Sequence, residues 1–152
     1  ILFIEDIGEK FGDTFNNQVS HLNGRRKNIV KGMLTIDHYE EQLAHCLRSE
    51  LRDIPGVKVY GPAEGEERTT TVSFTMAGKN ANYIAGILAK DGIYTWDGDF
   101  YAITLVNDVL KLGNQGGLLR IGMAPYNTMD DIIRTVEVIK SIVNESTVAP
   151  AF

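Results

Sequence analysis

Residues 116–131, GGLLRIGMAPYNTMDD, set one arginine, Arg120, near the end of a short apolar run. A polar loop follows, Ala124-Pro125-Tyr126-Asn127, and then Thr128 and Asp131 stand at the spacing of a capping box that opens a helix. A strand that carries a guanidinium to its end, beside backbone donors and a positive helix terminus, suits a carboxylate or a phosphate. The same spacing suits an ordinary strand arginine paired with a surface acid, and structural ion pairs are common. On these residues alone both readings stand.

Other kinds of chemistry find less support. Three histidines and one cysteine are scattered without metal-ligand spacing, so no metal site is expected. The lone Cys46 excludes an internal disulfide framework and points to a reducing, cytoplasmic compartment. A net charge of −5 argues against non-specific nucleic-acid binding, which needs a basic face. The short run Arg25-Arg26-Lys27 reads as the solvated start of a helix, and His21 as structural. The apolar runs are too short for a membrane span.

The elements that must position Arg120 follow from periodicity. With 152 residues, 43% of them hydrophobic, the chain is long enough for one domain with a real core. It begins inside an apolar run without a signal-peptide pattern and reads as a cut through a longer chain. Ile1, Ile4, Ile7 and Phe11 share a face and predict a helix over 1–11. Ile29, Met33, Ile36, Leu43, Leu47, Leu51 and Ile54 predict a long helix over 25–54, with a bend at Gly32 or over 35–37, stopped by Pro55-Gly56. Strands are expected at 57–60, 69–76, 93–96 and 118–122, and further helices at 80–90, 100–112 and 128–143. The sum is an α+β two-layer sandwich: a small, mostly antiparallel sheet of about four strands covered by helices and preceded by a long helix.

From Pro55 onward four segments in order, PGVKVYGP, RTTTVSFTMAG, GIYTWDGDFYA and GLLRIGMAPYNTMDDI, resemble the C-terminal small domain of class V aminotransferases, in the cysteine desulfurase-like branch. The resemblance implies a fold-type I pyridoxal-phosphate enzyme that acts on an amino acid as a homodimer. It places residues 1–148 in the small domain with its connecting helices and leaves 149–152 as a loose tail. It also implies that the large cofactor-binding domain is missing. None of the eight lysines follows a His or Ser as the Schiff-base lysine does, so no cofactor is expected on this chain alone, and the isolated chain is expected to be inactive. The alternative is a free-standing, non-catalytic module that binds a small ligand or a protein.

By the family pattern, Arg120 matches the arginine that pairs with the substrate α-carboxylate. Such a pair fixes which bond at Cα lies perpendicular to the cofactor ring. Asn127 would brace that arginine or its loop, or is simply a turn asparagine. Tyr101 falls where desulfurases carry a nucleophilic cysteine. Its hydroxyl either meets the substrate or fills an aromatic loop with Trp96 and Phe100. A phenol cannot take up sulfur as a thiolate does, and Cys46, in the long helix, reads as a small semi-buried hydrophobe. Asp97 and Asp99 either select a basic substrate group or form a turn. Arg68 either faces the site or is a solvated charge. In a fragment, the first helix is the foremost candidate for an exposed apolar patch.

Overall fold

A computed structural model describes residues 1–144. The tail expected at 149–152 lies outside the described residues. The chain divides into two compact units, residues 1–42 and the remainder from Leu43 onward.

The first unit holds α1 (Leu2–Phe11), a 3-10 turn (Gly12–Phe15) and the first part of α2 (Gly24–Arg52). Glycines let its two helices approach closely. A Cβ on Gly8 would sit 1.9 Å from the carbonyl oxygen of Asn28, and one on Gly32 would sit 2.0 Å from that of Ile4. Gly32, where a bend was expected, thus serves contact within an unbroken helix. Polar pairs flank the crossing. Arg25 Nε donates to Glu5 at 2.8 Å, Asn28 to Glu9 at 2.7 Å, and the buried Lys31 ammonium to Asp13 at 3.0 Å. Those last contacts, the Lys31 hydrogen bond first, hold the Asp13 carboxyl below its ordinary range. Ile1, Leu2, Phe3 and Phe11 are exposed, in keeping with the first helix as the candidate for an exposed apolar patch.

The second unit is an antiparallel sheet with helices on one face. Its strands are β1 (Val57–Tyr60), β2 (Val72–Met76), β3 (Trp96–Gly98) and β4 (Leu118–Ile121), in the order β1-β2-β4-β3. Alternation sends Val57, Val59, Val72, Phe74, Met76, Leu119 and Ile121 to one side. There they pack on Leu43, Leu47 and Leu51 of α2, on Ile84 and Leu88 of α3 (Ala81–Lys90), and on Ile132, Val136, Ile139 and Ile142 of α4 (Met129–Asn144). Both helix starts are capped as the sequence suggests. Asn80 accepts from the Asn82 amide at 2.9 Å, and Thr128 and Asp131 exchange backbone-to-side-chain bonds at 2.9 and 3.3 Å. These sandwich layers match the expected α+β fold.

Three boundaries differ from expectation. β2 begins at Val72, where pairing with Ile121 begins, and not at 69. The third strand lies at 96–98 and not at 93–96, because the Ile93 amide still bonds back to Leu88 of α3. Asp97 and Gly98, expected to end that strand, are part of it. The helix expected over 100–112 is a short π-helix (Thr104–Val109) preceded by a loop. Phe100 and Tyr101 stand at φ 55° and 64°, left-handed values that no right-handed helix accommodates.

Candidate anion-binding cleft

The other face of the sheet carries the chemistry. Register places Tyr60 opposite Ser73, Ser73 opposite Arg120, and Arg120 opposite Trp96. One row of side chains therefore crosses all four strands, on the side opposite Phe74 and Leu119. A small apolar cluster, Val106, Leu112 and Leu118 with Tyr60, Phe100 and Leu110 against it, borders the row.

Two aromatic rings fix the Arg120 guanidinium. Its carbon lies 4.3 Å from the Phe100 ring centroid and 6.0 Å from that of Trp96. Among the described residues no carboxylate pairs with it. Phe100 reaches its place through the left-handed loop, whose turn is tied by the Tyr101 amide donating to Asp99 Oδ1 at 3.0 Å.

Arg120 lines a cleft of about 390 Å3 with Phe100, Arg68 and the hydroxyl-bearing Tyr60, Thr69, Thr71 and Ser73. Among the described residues, no acidic side chain is in that lining. Arg68, left open between a site residue and a solvated charge, lines the cleft with only 8% of its side chain exposed. Gly61 makes room for it. With φ at 130°, a Cβ there would lie 2.8 Å from Arg68 Nη2.

Behind Arg68 stands Glu64. Its Oε1 accepts from Arg48 Nε at 3.2 Å, from Arg52 Nη1, and from Arg68 Nη1 at 3.3 Å, while Oε2 faces His45 Nδ1 at 3.5 Å. The hydrogen bonds from Arg52 and then Arg48 hold the Glu64 carboxyl down at about 2. Nothing in the acidic run 63–67 marks Glu64 above Glu66 or Glu67; only the helix α2 behind it does.

The remaining candidates lie apart from this cleft. Asn127 folds its own loop, accepting from the Ala124 amide at 2.9 Å, and lines a different hollow with Tyr94, Tyr126 and Arg134. Tyr101 is 96% exposed. Asp99 ties the loop turn. Cys46 is half-buried against the core. Among the described residues no cluster of His, Cys, Asp or Glu could hold a metal ion. No described helix is long and apolar enough to cross a membrane.

The architecture and the row of site residues define an α+β domain with an arginine-lined cleft on the open face of its sheet. Residues 28–134 match the family model for aminotransferase class-V, and the chain belongs to that family. A cysteine desulfurase of Serratia proteamaculans is 30% identical over 105 residues, 69% of this chain and 24% of that protein. A probable cysteine desulfurase of Synechocystis is 31% identical over 102 residues, 66% of this chain and 23% of that protein. The chain thus spans about a quarter of the length of these relatives. Among solved structures, the apo cysteine desulfurase of Thermococcus onnurineus superposes with a TM-score of 0.67 at 23% identity. The match covers 80% of this chain and 29% of that one and concerns the fold.

Proposed function

We propose that this chain is the C-terminal, substrate-carboxylate-binding domain (residues 1–148) of a larger, homodimeric, cytoplasmic pyridoxal-phosphate enzyme acting on an amino acid. The observation that carries the reading is Arg120, a guanidinium set against the Phe100 and Trp96 rings in a cleft whose described lining holds no acid, with its donors unspent on any carboxylate of the described chain. A bound α-carboxylate would supply the acceptor for a two-pronged pair, which lysine cannot match in geometry. The family membership supports the same class.

We assign the cleft to the substrate's carboxylate. Its lining includes no lysine, the residue type a Schiff base requires. In the complete enzyme the cofactor would labilise a bond at Cα; the task of these residues is to orient that carbon by holding its carboxylate. Tyr101, on our reading, occupies the place of the desulfurase nucleophile. Its phenol does not accept sulfur, so we assign the enzyme to amino-acid chemistry other than desulfuration through this loop. Asn127 shapes the loop that follows the arginine strand.

The test is an acetate titration of the chain, following the arginine Nε–Hε resonances by NMR. The Arg120 resonance is expected to shift and saturate, and Arg120→Ala to abolish binding. A shift confined to other arginines, or unaltered binding in Arg120→Ala, would remove the carboxylate role.

A further inference from the structure

Arg68 provides the cleft with a second guanidinium, and we infer that the site takes a dianionic ligand: an amino acid whose side chain ends in a second carboxylate. The inference rests on the reading of Arg120 as the α-carboxylate anchor. Both arginines line the same hollow, and its other described polar side chains carry hydroxyls, from Thr69, Thr71, Ser73 and Tyr60. Hydroxyls can donate to an anion and impose no opposing charge. Along the chain Arg68 precedes Ser73, the cross-strand partner of Arg120, by a short segment of at most about 17 Å when extended. The hollow that both arginines line, about 390 Å3, is of small-molecule size.

Burial and charge distinguish Arg68 from a surface arginine. Its side chain is 8% exposed, seated over Gly61 and held from behind through Nη1 by Glu64. Its hold on Arg68 is not exclusive, because Oε1 of Glu64 also accepts from Arg48 and Arg52. A side-chain carboxylate arriving there would meet a fixed, partly desolvated cation, an arrangement that strengthens charge-assisted pairing.

The experiment titrates the same labelled chain with acetate and then with malonate, succinate, glutarate and adipate. Acetate should move Arg120. One dicarboxylate should move both Arg68 and Arg120 and bind about tenfold more tightly than acetate, as one added charged hydrogen bond supplies. Arg68→Gln should erase the difference in affinity between that ligand and acetate, and Arg68→Lys should recover part of it. The wild-type titration reads both resonances without any variant, so the outcome does not depend on Arg68→Gln folding. If acetate moves Arg120 but no dicarboxylate moves Arg68 or binds more tightly, the second anchor is refuted and the first stands. If acetate leaves Arg120 unmoved, the α-carboxylate reading itself fails. A dicarboxylate seen by Arg68 alone refutes the two-point site.

Discussion

The guanidinium carbon of Arg120 lies 4.3 Å from the ring centroid of Phe100, a residue whose backbone is left-handed at φ 55°. The strand fixes where the arginine starts, and the strained loop fixes where its charged end rests. For a non-glycine residue that conformation costs on the order of 1–3 kcal/mol and persists only when the surroundings hold it. Here the surroundings are the Asp99 turn and the small cluster of Val106, Leu112 and Leu118.

Removing the ring should loosen the arginine without removing it. Phe100→Ala is expected to weaken acetate binding about two- to fivefold, the scale of one cation–π contact. The Arg120 Nε–Hε resonance should broaden or move toward the random-coil position in the free chain. Unchanged affinity would mean that Trp96 and the strand alone position the guanidinium.

In the amino-acid enzyme we propose, loss of Arg120 should lower kcat/KM by about 10- to 100-fold, the range for a hydrogen-bonded charge pair. Arg120→Lys should recover only part of this, since an ammonium lacks the planar fork. A rise in KM together with a fall in kcat is the expected signature of lost orientation at Cα. Steady-state kinetics with both variants decides it.

Glu64 gives the fold an acid-sensitive element. Its carboxyl is held at about 2 against an ordinary 4.5. A depressed carboxylate stabilises the folded chain above its unfolded value, and the effect is lost as pH falls from about 4.5 through about 2. Glu64→Gln should therefore flatten the acid limb of stability in that window and leave Arg68 less ordered. Denaturation followed across pH 2–6 measures the first effect, and the Arg68 resonance the second. Because Glu64 is substantially exposed, solvent moderates its contribution.

Gly61→Ala should disturb Arg68 directly. The new methyl would lie 2.8 Å from Nη2 at a φ of 130° that L side chains rarely adopt. The expected outcome is a displaced Arg68 resonance with the Arg120 resonance unchanged, and a stability loss of about 1 kcal/mol or more. A silent substitution would show that the guanidinium has room to shift.

At the start of α4, Thr128→Ala should cost about 1 kcal/mol by removing the oxygen that accepts from the Asp131 amide. The reciprocal bond from the Thr128 amide, followed by that from Asn127, keeps the Asp131 carboxyl below its ordinary range. That share of stability is present at neutral pH and disappears as acid protonates the group. Thermal unfolding of Thr128→Ala at pH 7 and in mild acid checks both statements.

Much of the fold was legible because it is encoded locally. The period of Leu43, Leu47 and Leu51, the alternation of Val72, Phe74 and Met76, and the spacing of Thr128 and Asp131 each act within a few residues. Arg120 was legible as an anion-binding candidate for the same reason. What local pattern could not carry was pairing across the sheet. Register sets Trp96 beside Arg120, the Ile93 bond back to α3 shifts the third strand, and a left-handed loop precedes the shortened helix to lay Phe100 on the guanidinium. Arg68 could be read from sequence only as one of two things. Its burial depends on Glu64, a glycine at 61 and two arginines from a distant helix, which meet only when the sheet packs on α2. Residue type and short-range spacing determined which groups were available. Long-range packing, which decides which charges lose water and which neighbours they then face, determined which of them share a cleft.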